Sequence, residues 1–291
     1  MQTNHYSIMK KILGSAIVAL AAGMTLSSCN NNGGDSDTTI QYPITNCFAL
    51  VHDTQSGAGS FIQGVNYTML LNVSQSYADI SITGLNIPDG QRYPSISLPE
   101  VPAKADKAWL VVSSARPTVD ITGFGSLPVF RDLVLRLLDR YYGGAYVPGF
   151  TVSYSIDDRY RIFSAREGQI ASGTIQTTAP DGSVFEKEDA VIGLAFDTKT
   201  MMLEIQFAGA QFVQGMPAQN ITMSKIPFTM TPEGVASFSI ASLTPTIGST
   251  PYPNYPITDL VGTYDFNRGL DLDFVCTLGP APYHVKADMK Y

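Results

Sequence analysis

Along much of this chain apolar and polar residues alternate, and this alternation restricts the fold more than any other feature of the sequence. Strand side chains point to opposite faces with period 2, so runs of this kind are half-buried β-structure. Clear cases are Tyr67 to Val73, Ala78 to Thr83, Ala108 to Ser113, Ala190 to Phe196, Met202 to Ala208 and Leu270 to Phe274. Turn residues separate them: Pro88-Asp89-Gly90, Asp157-Asp158, Pro180-Asp181-Gly182 and Asn267-Arg268-Gly269. Strands joined in this way form an antiparallel meander, not a series of parallel crossover units. The expected fold is mainly β, in barrel-like or sandwich units, and a charged fraction of 15% with 25 Gly and 18 Pro fits it better than a helical bundle.

The pattern also repeats. Residues 98–119 lie against 226–247 without a gap, Leu98-Pro99 facing Ile226-Pro227 and Pro117-Thr118-Val119 facing Pro245-Thr246-Ile247, an offset of 128 at both ends (227 − 99 and 245 − 117). Upstream, Ala78-Asp79-Ile80 matches Leu203-Glu204-Ile205 at an offset of 125 (203 − 78), so three extra residues in a loop of the second copy reconcile the two. The expectation is a duplicated β unit, with halves at 44–148 and 149–291.

One segment departs from the alternation. Phe130, Leu133, Val134, Leu137, Leu138 and Tyr141 recur at helical spacing, which predicts an amphipathic helix over about 128–142, inserted in the first half. Ser126 can cap its start, Gly143-Gly144 can end it, and Asp132 and Arg136 stand four apart on its wet face. The second half offers only Tyr252-Pro253-Asn254-Tyr255-Pro256 there, where proline forbids a helix. Such a helix would cover an open barrel end or sheet face, or act as a lid over a ligand cavity.

The first residues have the parts of an export signal. Lys10 and Lys11 supply positive charge, Ile12 to Leu26 carries none, and Leu26-Ser27-Ser28 leads into Cys29. Met9-Lys10-Lys11 makes a normal signal start by itself, so the true start lies at Met1 or Met9. The apolar run is short of the ~20 residues of a permanent membrane span. The Leu-Ser-Ser-Cys run resembles the lipobox of bacterial lipoproteins, which implies that residues 1–28 are removed and that the Cys29 thiol carries a diacylglyceryl group. Residues 29–43 open with Asn30-Asn31-Asn32-Gly33-Gly34-Asp35-Ser36-Asp37, a polar stretch that reads as a flexible tether. Its style is similar to lipoproteins of the Bacteroidetes, and Asp37-Thr38-Thr39 matches a short O-glycosylation motif of that phylum, with Thr38 as the candidate acceptor. The resemblance implies an outer-membrane, lipid-anchored protein facing the periplasm or the surface, with the bilayer as partner through the anchor on Cys29.

Removing residues 1–28 leaves 16 basic against 25 acidic residues, a net charge of −9 (16 − 25). That argues against nucleic acid or anionic lipid as a partner, since both need a basic patch. Only His52 and His284 remain after processing, with no Gly-x-Ser-x-Gly elbow, no His-Glu-x-x-His pair, no phosphate-binding loop and no clustered Cys or His. No catalytic residue, cofactor or metal ligand is therefore assigned. Asp271 and Asp273 share a strand face and read as its solvated side. Cys47 and Cys276, near the two ends of the folded body, could pair in an oxidising envelope; the other reading, favoured by their apolar surroundings, is two buried free thiols. Tyr141, Tyr142 and Tyr146 beside Gly143-Gly144, and Tyr252 and Tyr255 in the proline-rich loop, are candidates for an aromatic surface that stacks on sugars or apolar ligands, against the plainer role of packing the loops.

These features favour a non-enzymatic envelope module that binds a small molecule, a glycan or another envelope protein. Two alternatives stand beside it: a fimbrillin-like structural or adhesive subunit, which would lend a terminal strand to a neighbour, and a glycan hydrolase, which would need two converging carboxylates.

Overall fold

The computed structural model describes residues 39–88, 92–121, 127–138, 141–142, 145–146, 148–279 and 281–290, with only the backbone described at 92, 94, 141, 142, 145 and 146. Every regular element among them is a strand. They form two units that divide between Arg166 and Glu167.

The first unit contains β1 (Thr39–Asp53), β2 (Gly59–Asn72), β3 (Tyr77–Asn86), β4 (Arg92–Asp106), β5 (Trp109–Ser114), β6 (Phe130–Leu138), the small hairpin of β7 (Tyr141–Tyr142) and β8 (Ala145–Tyr146), then β9 (Gly149–Ile156) and β10 (Tyr160–Arg166). Setting the small hairpin aside, each strand pairs antiparallel with the next, and β10 returns to β1 to close an eight-stranded barrel. The second unit contains β11 (Gly168–Thr178), β12 (Val184–Asp197), β13 (Met202–Ala210), β14 (Gln219–Met230), β15 (Val235–Leu243), the short β16 (Thr246–Ile247) and β17 (Thr250–Pro251), then β18 (Ile257–Asp265), β19 (Gly269–Leu278) and β20 (Ala281–Lys290). It follows the same path, with β20 paired to β11. Barrel 1 and barrel 2 are thus both up-and-down meanders.

The alternation explains the closure. In β3 the side chains of Ala78, Ile80 and Ile82 are fully buried inside barrel 1, while Asp79 faces outward and accepts the Glu100 N–H at 2.8 Å. Each isoleucine buried in this way contributes about 1.5–3 kcal/mol, and a ring of eight strands leaves an interior that such side chains just fill. On β19 and β20 the outward row is polar, with Asp271, Asp273, Lys286, Asp288 and Lys290, whereas on β1 and β10 the row opposite the core carries Phe48, Leu50 and Phe163, all buried.

Irregularities recur at matching ladder steps. The β3–β4 bulge lies between Ala78↔Val101 and Ile80↔Leu98; the β13–β14 bulge lies between Leu203↔Ile226 and Ile205↔Met223, an offset of 125 throughout (203 − 78 and 226 − 101). Glu100 and Lys225, at φ 51° and 61°, are the left-handed residues of these bulges. The β6–β9 and β18–β19 bulges match as well, with Asp132 (φ 53°) and Asp259 (φ 55°) as the extra residues.

Three expectations are corrected by this register. The alignment of Leu98-Pro99 with Ile226-Pro227 at 128 is not the structural one: Val101 is the counterpart of Ile226, and the offset changes at later turns, because a bulge lets a proline slip along the strand without moving the core. The boundary at 148/149 moves to 166/167, since β9 and β10 are the strands that close barrel 1. The helix over 128–142 is absent; β6 occupies Phe130–Leu138 as a strand. Its bulge puts one extra residue between Phe130 and Leu133, after which Leu133, Leu135 and Leu137 alternate inward. A three-residue step followed by period 2 imitates a helical stripe. Asp132 and Arg136 do not form a helical pair, and Arg131 instead bonds Asp158 at 2.8 Å. The second copy of the element is β18, not the proline-rich loop before it. The proposed helix ends, Ser126 and Gly143-Gly144, lie outside the described residues.

Candidate functional site

In barrel 2 the β11–β12, β13–β14, β15–β18 and β19–β20 connections gather at one end. A cavity of about 370 Å³ opens there. Its floor is made by the buried side chains of Phe212, Ile221, Ile257 and Cys276, and its rim by Met216, Gln219, Ile247, Tyr252 and Tyr255. Among the described residues no charged side chain lines it.

Two loops shape the rim. In the first, the Phe212 N–H donates to Met216 Sδ at 3.4 Å and Gln211 Nε2 donates to the Met216 carbonyl at 2.8 Å. In the second, β16 folds back onto β14 through Ile221↔Ile247 and Thr222↔Thr246, then the Tyr252 N–H donates to the Pro245 carbonyl at 2.9 Å and the Tyr255 N–H to the Tyr252 carbonyl at 3.1 Å. Pro253 and Pro256 fix φ on either side of this turn. The Thr277 N–H donates to the Pro256 carbonyl at 3.2 Å and ties the loop to β19. The two tyrosine rings are held 6.2 Å apart, with Tyr255 41% exposed.

The other end of barrel 2 is filled by aromatic rings. Phe196 lies 5.3 Å from Phe228 and 5.2 Å from Phe266, Tyr264 packs against Phe266 at 4.8 Å, and the Tyr264 hydroxyl donates to Gln169 Oε1 at 3.2 Å. The cavity is therefore blind.

Barrel 1 explains why there is space at this end. Ile257↔Cys276 is the same ladder step as Phe130↔Ile156, and Ala210↔Gln219 corresponds to Leu85↔Tyr93 after a one-residue register shift between Phe207 and Ala210 that barrel 1 lacks. At each of these three wall positions barrel 1 carries the bulkier residue: Phe130, Ile156 and Tyr93, all buried, against Ile257, Cys276 and Gln219. At Phe212, whose counterpart is Ile87 (212 − 87 = 125), barrel 2 carries the larger side chain. Burial pushes the Cys276 thiol up to about 12, so it stays protonated and lacks the nucleophilicity of a thiolate near neutral pH.

The sequence candidates divide accordingly. Tyr252 and Tyr255 meet at the cavity rim. Tyr141, Tyr142 and Tyr146 belong to the β7–β8 hairpin of barrel 1, where Tyr141 pairs with Tyr146 through the backbone; their side chains lie outside the described residues, so the five do not form a single described surface. Cys29 and Thr38 also lie outside them. Cys47 and Cys276 are buried, each on the inner face of its own barrel, and the disulfide between them is not formed. Asp271 and Asp273 stand on the outer face, Asp271 3.0 Å from Lys290 Nζ and Asp273 paired with Lys286 and His284. They border a larger, open groove of about 710 Å³ over β14, β15 and β18 to β20, whose acids face lysines rather than an empty centre. Among the described residues no group of three His, Cys, Asp or Glu side chains could hold a metal ion, and no helix is long and apolar enough to cross a membrane. Sequence reasoning missed Phe212, Gln219, Ile221 and Ile257; the signal that could have found them is the smaller residue at matched positions of a correctly registered repeat.

Comparisons with protein-family models, curated proteins and solved structures gave no match to this chain.

Proposed function

We propose that this chain is a lipid-anchored envelope protein whose second barrel binds a small apolar molecule in the cavity beneath Tyr252 and Tyr255. The observation that carries the reading is the blind, uncharged cavity at one end of a barrel whose sister ring fills the matching wall positions with larger side chains. A concave, mostly apolar site with a few polar groups at its rim is the usual form of a small-molecule pocket. The two rings, alike in path and in bulge positions, are read as copies of one ancestral barrel, the second opened for a ligand. The Leu26-Ser27-Ser28-Cys29 run supports attachment through Cys29, and the polar tether supports a position off the bilayer, on either side of the outer membrane. The first and last strands, β1 and β20, are each paired on both edges, which weighs against strand donation to a neighbour.

The test is a fluorescence titration of the full chain with the neutral probe N-phenyl-1-naphthylamine. Wild-type protein gives saturable binding. A triple variant carrying the barrel 1 residues, Gln219→Tyr, Ile257→Phe and Cys276→Ile, retains its thermal midpoint within a few degrees and binds at least about tenfold more weakly, the equivalent of 1.4 kcal/mol. Absence of saturable binding to wild-type protein contradicts the proposal.

A further inference from the structure

We infer that the ligand of the barrel 2 cavity is an uncharged amphiphile of about a dozen non-hydrogen atoms, with an apolar tail and one hydroxyl-like tip. The inference rests on the binding reading above and names the class of molecule that the site selects.

Size follows from the volume. About 370 Å³ equals roughly a dozen water molecules at ~30 Å³ each, too little for a two-chain lipid. Charge follows from the wall. An ionised group brought into the cavity would lose its hydration and meet no counter-charge, because among the described residues the lining holds neither an acidic nor a basic side chain. The Cys276 thiol in the floor is kept neutral by its own burial. The tip follows from the rim: Gln219, Tyr252 and Tyr255 are the lining residues with amide or hydroxyl groups, and together they can both donate to and accept from a hydroxyl. Tail orientation follows from the floor, where Phe212, Ile221, Ile257 and Cys276 are buried, so the apolar end points inward and the tip stays by the tyrosines.

The experiment is displacement of N-phenyl-1-naphthylamine from the full chain at pH 7.5 by 1-decanol, decanoate and decylamine, which share a ten-carbon tail and differ in charge. The expected result is half-displacement by 1-decanol at a concentration at least about tenfold below that needed for either ion. Displacement by decanoate or decylamine equal to or better than that by 1-decanol overturns the inference and leaves the binding site standing. Failure of the probe to bind wild-type protein removes both. The Gln219→Tyr, Ile257→Phe, Cys276→Ile variant locates the event: folded by its thermal midpoint, it loses displacement by 1-decanol, and unchanged displacement overturns the assignment to this cavity.

Discussion

Gly262 faces Phe238 across the β15–β18 ladder, and a Cβ added there would fall 2.5 Å from Phe238 Cζ and 2.9 Å from the Asp271 carbonyl oxygen. The phenyl ring lies where a side chain at 262 would have to go. Barrel 1 solves the same step with Val112 opposite Leu135. Gly262→Leu alone is overpacked and costs about 1–3 kcal/mol; Phe238→Val alone leaves a void. The double variant removes the clash with the ring but not the contact with the Asp271 carbonyl oxygen, so it recovers part of the loss, and denaturant unfolding of all four proteins gives a coupling of about 1 kcal/mol or more. Additive losses would refute the equivalence of the two steps. Two carboxyls give opposite pH signatures. Burial, assisted by the Asp197 carboxylate, raises Glu167 above its ordinary 4.5, so the stability it contributes is complete below 4.5 and is lost as pH rises through the raised value. Glu167→Gln therefore raises the thermal midpoint at pH 7 and leaves it unchanged near pH 4. Asp53 is held well below its ordinary 3.8, first by Arg159 at 2.9 Å and then by the Gln55 N–H, so its contribution is present above 3.8 and fades as pH falls. Asp53→Asn lowers the midpoint at pH 6 by more than it does near pH 2.

At the scale of the element, the bulges decide what could be read. Strands such as β3 and β13 were legible because the inward residues are apolar and most outward ones polar, a pattern that local composition carries. The bulges were not legible: Glu100, Lys225, Asp132 and Asp259 hold left-handed backbone without glycine, because the ladder partners on either side impose it. One such residue turned β6 into an apparent helix, and that misreading removed the correct partner for β18. Aspartate tolerates this conformation better than a branched residue. Asp132→Val therefore costs about 1–2 kcal/mol in thermal or urea unfolding, Asp132→Gly costs little, and the same contrast holds at Asp259. Equal effects of Val and Gly would show that the bulge does not constrain these positions.

For the whole molecule, each barrel closes on its own strands, and the chain passes from one to the other between Arg166 and Glu167. Residues 167–291 made alone should melt cooperatively with the circular dichroism of a β protein and keep the affinity of the full chain for N-phenyl-1-naphthylamine; an unfolded or non-binding fragment would show that the site needs the rest of the chain. Tyr252 and Tyr255 were legible as ligand candidates because two aromatic side chains stand close together in a proline-rich loop, although packing of that loop was the plainer reading. The cavity floor was not, since a missing volume is visible only against a matched position that fills it. The most direct measurement of the site is methyl NMR of isoleucine-labelled protein titrated with 1-decanol. Saturating shifts at Ile221, Ile247 and Ile257, with Ile96 and Ile121 of barrel 1 unmoved, are the predicted result; shifts confined to barrel 1, or none at all, would contradict it.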